Sequence, residues 1–124
     1  DQLFGGFGHD WLDGGAHNDR LLGAEGSDTL IGGAGNDTMT GGADADTFIF
    51  ADGFGVDVIT DFDALNDFER IDLSAVGSIV DLADLMANHV SQVGADVVID
   101  ALGGNLITLV GVSLADLDAN DFVF

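Results

Sequence analysis

The chain of 124 residues has no cysteine, no proline and only two basic side chains, Arg20 and Arg70. Without cysteine, neither disulfides nor a zinc–thiolate site can hold it together. Two arginines against 23 carboxylates leave a net charge of −21, which argues against nucleic acid and against anionic membrane surfaces as partners. No segment approaches the roughly 20 apolar residues of a membrane span. No signal peptide is read from Asp1 onward, though a fragment would have lost one. Nearly all the acid is aspartate, a bias that favours short carboxylates in turns over charge on helical surfaces.

What is present is a nine-residue phrase repeated five times without a gap. The copies are GGFGHDWLD (Gly5 to Asp13), GGAHNDRLL (Gly14 to Leu22), GAEGSDTLI (Gly23 to Ile31), GGAGNDTMT (Gly32 to Thr40) and GGADADTFI (Gly41 to Ile49). Each reads G-G-x-G-x-D-x-U-x, with U a large apolar residue, a periodicity that marks a stacked repeat architecture. The first six positions form a tight turn that uses glycine where φ is positive. The last three form a short strand whose middle residue points opposite to its neighbours. Leu12, Leu21, Leu30, Met39 and Phe48 are therefore expected to line an interior. Asp1-Gln2-Leu3-Phe4 fits the end of a further phrase, so the chain is expected to be part of something longer.

Three copies depart from the glycine pattern. His17 and Asp44 stand at the fourth position, and both residue types tolerate the left-handed region. Ala24 at the second position does not. Its turn must either keep φ negative there or bear strain.

Successive turns should alternate between two sides of a flattened right-handed coil, so that aspartates eighteen residues apart stack. That pairs Asp10 with Asp28, Asp19 with Asp37 and Asp28 with Asp46. The bland alternative is that these aspartates only bond the backbone of their own turns. Calcium takes six to eight oxygen ligands from carboxylates and carbonyls, and two stacked turns offer both. Stacked carboxylates repel one another without a cation. The repeat half is thus expected to be disordered without calcium and folded with it.

Beyond Ile49 the tandem period breaks. A loop from Ala51 to Gly55 leads to an alternating strand at Val56 to Phe62, and a short strand is expected at Arg70 to Leu73. Asp57, with Asp52 as a second candidate, would supply the partner carboxylate for the last turns. Asp81 to Val90 reads as a helix, capped by Asp81, with Leu82, Leu85, Met86 and Val90 on one core-facing side. Asp96 to Asp100 and Asn105 to Val110 read as a hairpin across Ala101 to Gly104. Ser113 caps a short turn through Leu117, and the chain ends in apolar Phe122-Val123-Phe124.

The five phrases, followed by Asp57-Val58-Ile59-Thr60-Asp61-Phe62 and Arg70-Ile71-Asp72-Leu73-Ser74, resemble the C-terminal β-roll domain of RTX proteins. Serralysin-type metalloproteases, related lipases and the R-modules of alginate (mannuronan C5) epimerases are the nearest likenesses. The resemblance implies an all-β fold: a right-handed parallel β-roll over residues 1–50, continuing as one domain into a β-sandwich-like part, residues 51–124, with one short helix and a secretion-signal region. It implies calcium ligation by Asp10, Asp19, Asp28, Asp37, Asp46 and Asp57. Turn carbonyls would join them from Gly5, Gly6 and Gly8 and their equivalents Gly14, Gly15, Gly23, Gly26, Gly32, Gly33, Gly35, Gly41 and Gly42. For His17 and Asp44 only the carbonyl role carries over. About three to five ions are expected, depending on whether Asp1 and Asp57 complete end sites. The resemblance also implies export by a type I (ABC transporter) system, folding outside the cell, and an upstream domain in the same polypeptide. Asp121-Phe122-Val123-Phe124 is similar to the ending of serralysin secretion signals, and reads equally as a last strand over the core.

A zinc protease of this family would need His-Glu-x-x-His, whereas His9, His17 and His89 are scattered. The chain is read as non-catalytic. Two functions stand: a calcium-triggered folding and secretion module, or a binding module for polysaccharide or adhesion. For the second, Arg20, Arg70 and Trp11 are the only candidates for a glycan groove, and that scarcity favours the first.

Overall fold

Each phrase carries one short strand and one turn, and consecutive strands go to opposite sheets. The computed structural model describes Asp1–Phe124. Strands β1 (Gln2–Phe7), β3 (Arg20–Glu25), β5 (Thr38–Ala43) and β7 (Val56–Ile59) lie in sequence on one sheet. Strands β2 (Trp11–Asp13), β4 (Thr29–Ile31), β6 (Thr47–Ala51) and β8 (Arg70–Ala75) lie on the other. All of these pairings are parallel, so the chain winds as a roll.

The register fixes which side chains stack. Leu3 pairs with Leu21 and Leu21 with Met39 on one sheet; Leu12 pairs with Leu30 and Leu30 with Phe48 on the other. With side chains alternating across each strand, these columns face each other between the sheets. Leu12, Leu21, Leu30, Met39 and Phe48 are all buried, as their place in the phrase requires, and belong to one core of 22 residues.

The coil does not stop where the tandem period does. Met39 pairs with Ile59, and Phe48 with Ile71. Asp52-Gly53-Phe54-Gly55-Val56-Asp57-Val58-Ile59-Thr60 is a sixth phrase, displaced by the two extra residues Phe50 and Ala51. Gly53 and Gly55 take φ of 86° and 97°, matching Gly33 and Gly35 one coil earlier. The expected Ala51–Gly55 loop is therefore a repeat turn. A seventh turn runs from Asp61 to Glu69 and delivers Ile71 to the core.

The remaining chain closes the roll. β9 (Val90–Val93), β10 (Asp96–Asp100) and β11 (Leu106–Leu109) form an antiparallel meander, and β11 lies parallel against β7. The expected hairpin is present, with Leu102 at φ 67° in its turn. β12 (Phe122–Val123) pairs in parallel with β8, so the apolar ending is a strand.

The expected helix is shorter than its spacing suggests. Asp81 accepts from Asp84 N at 2.8 Å as N-cap, but only Leu82–Asp84 is α-helical and Leu85–His89 is a π-turn. The wider turn puts Leu85 and His89 on the buried side, leaves Met86 39% exposed and frees Val90 to begin β9. Met86 is thus not core. Ser113 precedes a 3₁₀ turn, Leu114–Asp116, but its side chain makes no capping bond.

Candidate metal centre

At position one of each phrase φ is not positive, and glycine is needed there for room. A Cβ on Gly5 would lie 2.8 Å from Asp10 Oδ2 and 2.8 Å from the Gly23 carbonyl; on Gly14 it would lie 2.8 Å from Asp19 Oδ2 and 2.6 Å from the Gly32 carbonyl. The missing side chain leaves a cradle lined by a carboxylate oxygen and a carbonyl of the next coil. Positions two and four need positive φ. His17 and Asp44 adopt it as expected, at 82° and 76°. Ala24 adopts it too, at 90°, so its turn bears the strain.

The position-six carboxylates form two ladders, one on each side of the roll. Asp10 N donates to Asp28 Oδ1 at 2.8 Å, and Asp28 N to Asp46 Oδ1 at 2.8 Å. On the other side Asp19 N donates to Asp37 Oδ1 at 2.7 Å, and Asp37 N to Asp57 Oδ1 at 2.8 Å. The α-ammonium of Asp1 occupies the equivalent place at Asp19 Oδ1. The aspartates therefore bond the neighbouring coil, not their own turns. All three pairs expected from the eighteen-residue spacing are brought together, and Asp57 joins as the partner of Asp37. Asp52 does not; it opens the sixth turn, where its Oδ1 accepts from Gly77 N at 3.0 Å.

The Oδ1 atoms of Asp19, Asp28, Asp37, Asp46 and Asp57 are thus used, and a second oxygen is left over at most of the rungs. The Oδ2 atoms of Asp10, Asp19, Asp28, Asp37 and Asp57 are buried without a hydrogen-bond partner. Burial raises the Asp37 carboxyl above its usual range and the Asp46 carboxyl to about 6, helped by its stacked neighbour Asp28; burial likewise takes Asp57 to about 7, helped by Asp37. Orphaned, desolvated oxygens beside carbonyl-lined cradles are a poor resting state for a protein and a good one for a hard cation. The donors are all oxygen, which suits calcium. No three side chains among the carboxylates and histidines are placed to hold a metal ion together, so backbone carbonyls would have to fill the remaining positions of each site. Gly5, Gly14, Gly23, Gly32 and Gly41 hold position one, Gly6, Gly15, Gly33 and Gly42 position two, and Gly8, Gly26 and Gly35 position four.

Sequence reasoning missed two acidic residues. Glu69 stands where position six of the seventh turn falls: Arg70 N donates to Asp46 O at 2.9 Å, as Thr47 N does to Asp28 O at 2.8 Å. It is buried, and desolvation together with the charges of Asp46, Asp61 and Asp63 pushes its carboxyl up to about 8, against one backbone N–H from Asp63. Asp61, also missed, accepts from Gly41 N and Gly42 N at 3.0 and 2.9 Å. Gly53-x-Gly55-x-Asp57 marks the sixth phrase once two inserted residues are allowed, but no such motif marks the turn of Glu69.

The pattern of RTX calcium-binding nonapeptide repeats (four copies) matches residues 1–30 and 22–57. No curated protein matches the sequence. Among solved structures, the AlgE6R2 subunit of the Azotobacter vinelandii mannuronan C5-epimerase is 31% identical, with a TM-score of 0.70 over 100% of this chain and 87% of that one. The AlgE6R3 subunit of the same epimerase is 32% identical, with a TM-score of 0.56 over 95% of this chain and 79% of that one. Extracellular lipase LipA from Serratia marcescens is 27% identical, with a TM-score of 0.62 over 97% of this chain, which spans 20% of the lipase. With the repeats, the two-sided roll and these likenesses in agreement, the chain belongs to the RTX family of calcium-binding nonapeptide-repeat β-rolls.

Proposed function

We propose that this chain is a non-catalytic module that folds on binding calcium outside the cell and supports type I secretion and folding of a larger protein. The observation that carries the reading is the ladder of buried, half-satisfied carboxylates beside side-chain-free cradles. Asp10 with Asp28, Asp28 with Asp46, Asp19 with Asp37 and Asp37 with Asp57 would each hold one ion, joined by carbonyls of the glycine positions. Calcium supplies positive charge and oxygen coordination there. The chain's own part is to hold the carboxylates in register, exclude water from one oxygen of each, and leave space where a Cβ would stand.

Residues 1–50 would carry most of the ions, and residues 51–124 would cap the core and hold the export signal of the same domain. Inside a cell free calcium lies far below the roughly 10⁻⁴ to 10⁻³ M affinities of extracellular calcium modules. Repelling aspartates then keep the chain extended and fit for a narrow channel. Outside, folding would oppose backsliding and template an upstream domain. No helix is long and apolar enough to cross a membrane. The test is export of a passenger fused to this chain: Asp→Ala changes at Asp19, Asp28 and Asp37 should slow secretion, and a normal rate would count against the export role while leaving calcium binding standing.

A second reading, a polysaccharide-binding R-module, is favoured by the likeness to the epimerase subunits. Against it, the three groups suited to an acidic glycan do not share a face. Arg20 lies on β3 of the seven-stranded sheet, whereas Trp11 and Arg70 lie on β2 and β8 of the other. Titration with mannuronan oligomers in calcium separates the readings, since saturable binding would support the second.

A further inference from the structure

We propose that a cavity under the sixth turn binds a small organic ammonium ion, one aromatic ring or short branched chain carrying a protonated amine. The site lies apart from the carboxylate ladders, and its ligand is independent of calcium.

The cavity originates in the two inserted residues. In the tandem half each turn rests on the turn one coil before it: Ala34 N donates to the Gly15 carbonyl at 2.9 Å, and a Cβ on Gly33 would run into that carbonyl. One coil on, Phe50 and Ala51 shift the register of β6 and lift the start of the sixth turn. The later part of that turn stays seated, with Gly35 N donating to the Phe54 carbonyl at 3.0 Å and Val56 N to the Gly35 carbonyl at 3.2 Å. The earlier part does not. A Cβ on Gly53 would meet no atom within 4 Å, unlike one on Gly33, and the bond from Ala34 N to Gly15 O has no counterpart between Phe54 N and Gly33 O. What opens between the two turns is a cavity of about 230 Å³.

Its lining selects the ligand. The half-buried Ile31 and Ile49 form a wall, and Phe50 and Phe54, packed edge to face with centroids 5.0 Å apart and each 2% exposed, form the floor. A cavity of about 150 Å³ already takes a benzene-sized guest, so this one has room for a ring with a short chain. The Gly33 carbonyl points toward the next coil, as the Gly15 carbonyl does, and accepts no hydrogen bond. At the mouth, Asp52 Oδ1 is held by Gly77 N at 3.0 Å, which leaves Oδ2 free. Two acceptors, one of them charged, thus stand against one donor, Phe54 N–H. No cation of the chain answers the carboxylate: the ion pairs are the Asp1 ammonium with Asp19 and His89 with Asp84. An apolar body with a cationic end fits both the lining and the mouth, whereas a chain of net charge −21 repels anions.

The test is amide correlation NMR of the whole labelled chain in saturating calcium, titrated with phenethylammonium chloride. Shifts should be confined to Gly33, Gly53, Phe54 and their neighbours and should half-saturate near about 1 mM, the range of a ligand this small. Asp52→Asn, which keeps the Oδ1 acceptor for Gly77 N, should weaken binding about tenfold, and so should replacing the probe by neutral 2-phenylethanol. Ala34→Leu puts a larger side chain in the cavity wall and should abolish the shifts; if that variant does not fold, Ala51→Leu serves the same purpose. Shifts that climb without saturating and spread over the acidic surface would overturn the site. Equal binding of the alcohol and the ammonium, or an undiminished response in Asp52→Asn, would overturn the assignment of an ammonium ligand.

Discussion

Ala24 is the residue where the phrase and the turn disagree. Its φ of 90° is one that an L side chain reaches at a cost of order 1 kcal/mol. Ala24→Gly should therefore raise the stability of the calcium-loaded chain by about 1 kcal/mol, read from urea unfolding in saturating calcium. Gly14→Ala should act in the opposite sense and more strongly. Its Cβ would sit between Asp19 Oδ2 and the Gly32 carbonyl, so it should also raise the half-saturating calcium concentration. A Gly14→Ala chain with wild-type affinity would mean that the cradle is not where the ion lies. Within the tandem copies the stacking of position six was legible, because a nine-residue period read as a two-sided coil puts Asp10 against Asp28 without any structure. Glu69 was not legible: two insertions and a change of residue type remove it from the period, and only the pairing of Phe48 with Ile71 restores it.

At the scale of elements, the roll strands followed from alternation and the meander did so only in part. β10 and β11 were readable as a hairpin. β9 was hidden because Leu82, Leu85, Met86 and Val90 fit one helical face, a pattern that the π-turn breaks before Val90. What holds β9 and the following turn is Gln92. Its Nε2 donates to Asp96 O at 2.7 Å and Val112 O at 3.1 Å, and its Oε1 accepts from Leu114 N at 2.7 Å. With the Gly94 carbonyl, which Nε2 also reaches at 3.3 Å, Gln92→Ala strips partners from four backbone groups and should cost about 1 to 3 kcal/mol. The ion count should stay the same, so thermal melting and ion counting on one sample separate cap stability from metal binding.

At the scale of the molecule, the excess of acid is placed so that metal and proton compete. The carboxyls of Asp46, Asp57 and Glu69 are raised to about 6, 7 and 8 from usual values of 3.8 and 4.5, and Asp121, buried beside Asp118, is raised to about 6. A raised folded value means that the folded chain binds protons more readily than the unfolded one. The resulting stability is fully present below about 4 and lost as pH climbs through 6 to 8. In chelator, the far-UV β signal should accordingly be greater at pH 5 than at pH 8; in saturating calcium the difference should shrink or reverse, since the ions take over the work of the protons.

Calcium-coupled folding is the central claim, and far-UV circular dichroism of the isolated chain, titrated from chelator to about 10 mM calcium with magnesium as control, tests it most directly. The account predicts a cooperative gain of β signal with calcium and none with magnesium, whose small, rigid octahedral shell does not suit sites of carboxylates and fixed carbonyls. Full β signal in chelator at neutral pH, unchanged by either ion, would contradict it: the 22-residue core would then hold the roll by itself, and the carboxylate ladders would be passengers on a fold that does not need them.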